Sequence, residues 1–214
     1  MKKEIEIIIA DDHPMLLNGL FQELEANGYQ VTGRADNGMR ALELILMNKP
    51  DIALLDIDMP MLTGFEVVKM AKEKGLKTKF VILSFHKESE YIVQAKSLQI
   101  DGYLLKEDPF FEIERCIEAV IGGNTYFSSS FGDQAMELAS KELKKLRLLT
   151  SSELTILKLV ARQKSNLEIS GQLNVSVRTI EKHRSNIIGK LGLEKGTNML
   201  TNWSLVNKKT ILEQ

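Results

Sequence analysis

Ile52-Ala53-Leu54-Leu55-Asp56-Ile57-Asp58-Met59-Pro60 is the stretch from which the fold of this 214-residue chain is read. Four apolar residues without a charge predict a strand buried on both faces, the kind found inside a parallel sheet. The run ends in a carboxylate, a second carboxylate follows two places on, and Met59-Pro60 stops the strand. In open parallel sheets, ligands and chemistry sit beyond the carboxyl ends of the strands, so Asp56 stands where a reacting group belongs.

Outward from Asp56, strands and helices alternate. Ile5 to Ala10 reads as a strand running into Asp11-Asp12-His13-Pro14, and Pro14 suits the first turn of a helix. Leu17, Leu20, Phe21 and Leu24 then recur with helical spacing up to Gly28. A strand at 30–34 and a helix at 39–48 precede the Asp56 strand, and a helix starting at Gly64 follows it. Phe80 to Ser84 is a fourth strand, the segment with Ile92, Ala95 and Leu98 a helix, Gly102 to Lys106 a fifth strand, and a last helix reaches about Ile121. This order predicts a five-stranded, doubly wound parallel α/β domain.

The totals support a two-part chain. Net charge is -1, but residues 1–144 carry 16 Lys and Arg against 24 Asp and Glu, a balance of -8. Residues 145–214 carry 12 against 5, a balance of +7, which suggests a second domain suited to a polyanion. No apolar run approaches the roughly 20 residues of a membrane span. Met1-Lys2-Lys3 is followed by Glu4 and Glu6 where a signal peptide needs apolar residues, so a cytoplasmic location is expected. The single cysteine, Cys116, excludes an internal disulfide and shares an apolar helical face with Ile113, Ile117 and Val120, as a buried structural thiol does.

Four strand ends deliver Asp11 and Asp12, Asp56, Ser84 and Lys106. Three crowded carboxylates repel one another unless a cation sits among them, and hard oxygen ligands suit Mg²⁺. A carboxylate can attack phosphorus to give an acyl phosphate. Lys106 and the metal would offset charge on the phosphoryl oxygens, and Ser84 could hydrogen-bond one of them. Each residue taken singly is equally a turn former, a helix cap or a solvated charge; the combination is what points to chemistry.

The acidic pair at 11 and 12, the acceptor at 56 followed by Met59-Pro60 and Gly64, the hydroxyl at 84 and the lysine at 106 resemble, over residues 5–121, the receiver domain of two-component response regulators. The resemblance implies phosphorylation of Asp56 by a sensor histidine kinase. It implies a Mg²⁺ site of Asp11, Asp12, Asp56 and the backbone carbonyl of Asp58. It also implies a switch pair, Ser84 and Tyr103; the alternative for Tyr103 is an ordinary half-buried strand aromatic. A catalytic role for His13 or His86 is not expected; Asp58 and His86 are candidates for tuning acyl-phosphate lifetime.

The expected organisation is a receiver domain over 1–122, a partly helical linker over 123–146 and an all-α DNA-binding domain over 147–214. Thr150 and Glu153 form a capping box, and Ser165 and Glu168 repeat its spacing before a short helix. Asn174-Val175 makes a turn, and Ser176 caps a longer helix from Val177 to about Leu191. Its Ile180, Ile187 and Leu191 face inward, while Arg178, Lys182, Ser185 and Asn186 face outward. This is a helix-turn-helix pattern, and with the basic balance it predicts double-stranded DNA as partner.

Leu149 to Leu205 resembles LuxR/NarL-type DNA-binding domains, notably in Ser165-Asn166, Thr179-Ile180, His183-Arg184-Ser185-Asn186-Ile187 and Lys190-Leu191-Gly192. The match implies Thr179, Lys182, Arg184 and Lys190 as phosphate-backbone contacts and Glu181, Lys182 and Ser185 on the base-reading surface. His183 is expected to pack inward. The last helix, about Thr197 to Asn207, is expected to serve core packing and dimerisation, with Lys208-Lys209 a solvated end. Ser152, Leu167 and Glu181 depart from the residues usual in this family and bear on affinity and target sequence. The expected protein is a transcription factor and no enzyme, a homodimer when phosphorylated. Two rivals are a phosphatase of the haloacid-dehalogenase type, whose pattern lacks Pro60 and the acidic pair, and a module acting through protein contact alone.

Overall fold

The computed structural model describes residues 4–194, 196 and 198–213. Its chain divides into two compact units, one running to Lys87 and resuming from Leu98 to Gly132, the other holding Glu88–Ser97 and everything from Asp133.

In the first unit the strands are β1 (Glu6–Ala10), β2 (Gln30–Ala35), β3 (Ile52–Asp56), β4 (Lys79–Ser84), β5 (Gly102–Leu105) and β6 (Tyr126–Phe127). They form one sheet in the order β2-β1-β3-β4-β5-β6, every neighbouring pair parallel. The helices are α1 (Pro14–Ala26), α2 (Gly38–Asn48), α3 (Gly64–Glu73) and α5 (Phe110–Ile121). β3 is buried along its whole length, as its uninterrupted apolar run requires. Ile7, Ile9, Leu54, Val81 and Leu104 share a core with Leu24 of α1 and with Cys116, Ile117 and Val120 of α5. Cys116 is buried, and burial pushes its thiol up to about 12, so it is an inert packing residue.

The sheet has six strands where five were expected. The extra strand, β6, lies in the segment read as linker, and its two residues are too few for alternation to reveal. Backbone bonds from Tyr126 N to the Asp101 carbonyl and from Ser128 N to the Tyr103 carbonyl, each 2.9 Å, lay it along β5.

The second unit is helical. It comprises α4 (Ser89–Ser97), α6 (Asp133–Arg147), α7 (Ser151–Ala161), α8 (Asn166–Leu173), α9 (Val177–Leu191), α10 (Met199–Val206) and α11 (Lys208–Glu213). Both expected capping boxes are present, Thr150 with Glu153 and Ser165 with Glu168. Asn174, left-handed at φ 52°, makes the turn into α9, and Ser176 accepts from Thr179 N at its start. Ile156, Leu157, Val160, Ile169, Ile180, Ile187 and Leu191 form the core of this bundle. The expected last helix is split by a break at Asn207 into α10 and α11, so Lys208 opens a helix instead of ending the fold. Its expected start, Thr197, lies outside the described residues, as do Met1, Lys2 and Lys3. Among the described residues no helix is long and apolar enough to cross a membrane.

Candidate functional site

Parallel pairing sets the first site. Ala10 pairs with Leu55, Asp56 with Leu83 and Ser84 with Leu105, so the groups at and just beyond these strand ends converge. Gly64 completes the placement: a Cβ there would stand 2.2 Å from the Asp56 carbonyl oxygen, so only glycine lets α3 begin against the end of β3. Gly64 N donates to the Ile57 carbonyl at 2.9 Å and closes the loop after Asp56.

Lys106 bridges two carboxylates. Its ammonium lies 2.8 Å from Asp11 Oδ2 and 2.9 Å from Asp56 Oδ2, with the lysine side chain only 6% exposed. Asp56 Oδ1 accepts from Ile57 N at 2.7 Å. Burial pushes the Asp56 carboxyl above its ordinary value; the bond from Lys106 opposes this, and Asp11 adds to it. For Lys106, burial works to lower its pKa, but Asp11 and Asp56 prevail and hold it raised. Burial strips water from this pair, and a desolvated carboxylate is a stronger nucleophile toward phosphorus than a solvated one.

One carboxylate is unsatisfied. Asp12 Oδ1 is buried and lies 2.8 Å from His13 Nδ1, yet makes no hydrogen bond of proper geometry. Asp11, Asp12, His13 and Asp56 each offer a ligand atom within 4.8 Å of the others. A set dominated by carboxylate oxygens, one of them orphaned, fits a hard divalent cation such as Mg²⁺. His13, set aside in the sequence, belongs to this group because Asp11 Oδ1 accepts from its backbone N–H at 2.9 Å and folds the loop back. The run Asp11-Asp12-His13-Pro14 carried that signal.

The remaining candidates lie around the Asp56 strand end. Ser84 is buried, and its Oγ accepts from His86 N at 3.1 Å. The Asp58 side chain is 62% exposed and lies 2.7 Å from His86 Nε2. Tyr103 is wholly buried, and its hydroxyl donates to the His86 carbonyl at 3.1 Å. Ser84, His86 and Tyr103 are thus linked by hydrogen bonds, a chain that the spacing of the sequence does not reveal.

The second site is α9. Arg178, Glu181, Lys182, Ser185 and Asn186 are exposed on one face, opposite the buried Ile180, Ile187 and Leu191. The other three candidates are engaged within the bundle. Thr179 Oγ1 is 2.8 Å from Ser176 Oγ at the helix start. Arg184, half-buried with its pKa lowered by desolvation, donates to Thr201 Oγ1 at 3.1 Å. Lys190 lies 2.6 Å from Glu153 Oε2, the carboxylate that also accepts from Thr150 N. The Lys190–Glu153 pair ties α9 to α7, and sequence reading missed it because 37 residues separate the partners. His183 is partly buried with its Nδ1 enclosed, in keeping with an inward-packed side chain.

Residues 7–120 match the family described as response regulator receiver domain, and residues 147–200 match bacterial regulatory proteins of the luxR family. The transcriptional regulatory protein MctR of Rhizobium johnstonii is 35% identical over 90% of this chain and 89% of its own length. The transcriptional regulatory protein YdfI of Bacillus subtilis is 32% identical over 92% of this chain and 93% of its own. Among solved structures, the signal receiver domain of NarL from Mycobacterium tuberculosis superposes with a TM-score of 0.54 at 33% identity, covering 56% of this chain and 98% of that one.

Proposed function

The chain belongs to the response regulators that join a receiver domain to a LuxR-type helix-turn-helix, and from that premise we propose that phosphorylation of Asp56 controls its binding to promoter DNA. The architecture is that of a two-component DNA-binding transcriptional regulator, with an acidic cluster suited to a phospho-aspartate and a divalent cation. The observation that carries the finer reading is Lys106 spanning Asp11 and Asp56 at 2.8 and 2.9 Å beside the orphaned Asp12 oxygen.

The donor is a phosphohistidine of a sensor kinase. Asp56 attacks its phosphorus, the P–N bond breaks, and the kinase imidazole leaves with its electron pair and takes up a proton. Asp11, Asp12, Asp56 and the Asp58 carbonyl would hold Mg²⁺, which when bound offsets charge on the transferring group. Lys106 is placed to follow one phosphoryl oxygen, giving up one of its two carboxylates. Ser84 Oγ is the donor for another, which requires it to stop accepting from His86 N. That exchange is the start of the switch.

The output is a cytoplasmic homodimer reading paired half-sites, with α9 in the major groove. Arg178 and Lys182 are free to meet phosphates, and Glu181 and Ser185 to meet base edges; Glu181 can accept from a cytosine amine. Thr179, Arg184 and Lys190 contribute by fixing the orientation of α9, and can reach the backbone only where their present partners are shared. Incubation with acetyl phosphate and Mg²⁺ tests the reading: an acid-stable, base-labile acyl phosphate is expected on wild type and none on Asp56→Asn. Equal labelling of the two proteins would move the acceptor elsewhere.

A further inference from the structure

The connection after α5 is built into the first unit more firmly than a tether needs. β6 pairs with β5, with Gly102 opposite Tyr126 and Tyr103 opposite Phe127. Ser128 Oγ accepts from Ser130 N at 3.0 Å, and Ser130 Oγ donates to Asp108 Oδ1 at 2.7 Å. The other oxygen of that carboxylate, Oδ2, accepts from Leu105 N at 2.8 Å, one residue before Lys106. Tyr126 Oη donates to the buried Glu112 at 2.6 Å, and burial followed by that bond pushes the phenol up to about 12, so it stays a donor at physiological pH.

The apolar side of this segment closes on Tyr103. Phe131, 2% exposed, meets its ring edge-on at a centroid distance of 4.7 Å, and Phe127 lies at 6.3 Å. A ring so enclosed cannot change rotamer without moving its neighbours, because a packed interior does not leave an aromatic-sized void open. Its hydroxyl end is held by the His86 carbonyl, and His86 N is held by Ser84 Oγ. The contacts therefore run unbroken from Ser84 through His86 and Tyr103 to Phe131, two residues before the first residue of α6.

We propose that the strap Tyr126–Phe131 is the output lever of the switch, with Phe131 as the positioning residue of Tyr103. When Ser84 turns to the phosphoryl group it releases His86 N. The β4–α4 loop then relaxes, Tyr103 loses its fixed acceptor, and Phe131 shifts with the ring. The covalent continuation through Gly132 carries that shift into α6. Coupling along this chain makes the strap an element with two states, one for each state of Ser84.

The proposal rests on Asp56 as acceptor, and its test separates the two. Full-length wild type, Phe131→Ala, Phe131→Leu and Ser130→Ala are compared by hydrogen exchange and DNA binding, with and without acetyl phosphate and Mg²⁺. In wild type, phosphorylation should change exchange in peptides covering 101–105 and 126–131 together. Phe131→Ala should still label on Asp56, while the ratio of DNA affinities with and without phosphate falls to about one; Leu, which keeps most of the volume, should restore most of it. Ser130→Ala removes only the bond to Asp108 at an exposed residue and so retains the fold, and it should lower the ratio part-way. Labelled Phe131→Ala with the full wild-type ratio, or a strap whose exchange ignores phosphorylation, overturns the lever alone. Wild type that takes no label overturns the phosphoacceptor reading and the lever with it.

Discussion

The acidic pocket and the outer face of α9 hold their charges in opposite ways. In the pocket, Asp11, Asp56 and Lys106 are buried and bonded to one another, each fixed by the end of a different strand. On α9, Arg178, Glu181 and Lys182 stand in water. Group transfer needs pre-positioned charges in a medium of low dielectric, where reorganisation at the moment of reaction is avoided. A DNA-reading surface needs hydrated charges that exchange water and counterions for phosphate when the partner arrives. Substitutions should therefore cost stability in the pocket and affinity on the helix.

The largest effect is expected at Lys106. Lys106→Ala leaves Asp11 and Asp56 buried without a cation, and breaking a buried pair in this way costs about 3 kcal/mol or more. Chemical denaturation of the variant should show that loss at neutral pH. The deficit should shrink as pH falls through the carboxylate range, because the protonated form of Asp56, whose pKa is already raised, no longer repels Asp11. Mg²⁺ should raise the melting temperature of the variant more than that of wild type. A deficit insensitive to both pH and Mg²⁺ would show that the pocket does not work as charge balance.

Glu153 tests the exception on the helical side. Glu153→Ala removes the capping box of α7 and unpairs Lys190, an expected cost of about 2 kcal/mol, with DNA binding lost only as far as the bundle loosens. Lys182→Ala should do the reverse. Its stability should stay within about 0.5 kcal/mol of wild type, while DNA affinity falls and the slope of log K against log salt drops by about one. If Lys182→Ala destabilised the bundle as much as Glu153→Ala, the contrast between the two faces would collapse.

The smallest effect concerns pH. The bond from Lys164, with those from Ser165 N and Oγ, holds the exposed Glu168 down at about 2, against an ordinary 4.5. Its stabilising contribution is thus fully present above about 4.5 and disappears as pH falls from there toward 2. The gap in stability between wild type and Glu168→Gln should be flat from neutral pH to about 4.5 and close below it.

The pocket was legible in the sequence because parallel strands align their ends, so Asp11, Asp56, Ser84 and Lys106 could be placed together from strand boundaries alone. The helix-turn-helix was legible through its caps, Thr150, Ser165 and Ser176, and the inward period of Ile180, Ile187 and Leu191. Contacts between distant residues were not. The Lys190–Glu153 pair, the His86–Asp58 pair and the enclosure of Tyr103 by Phe131 depend on how elements pack, which no local pattern reports. β6 escaped for a different reason. Two residues carry no periodicity, and the serines after them read as loop.

The buried carboxylate at 56 is expected to govern the exposed helix. The most direct test is DNA binding across genomic fragments with and without acetyl phosphate and Mg²⁺, for wild type and Asp56→Asn. Affinity should rise on phosphorylation of wild type and not respond in Asp56→Asn. Equal binding in all four conditions would contradict this, leaving a DNA-binding protein whose acidic pocket does not control it.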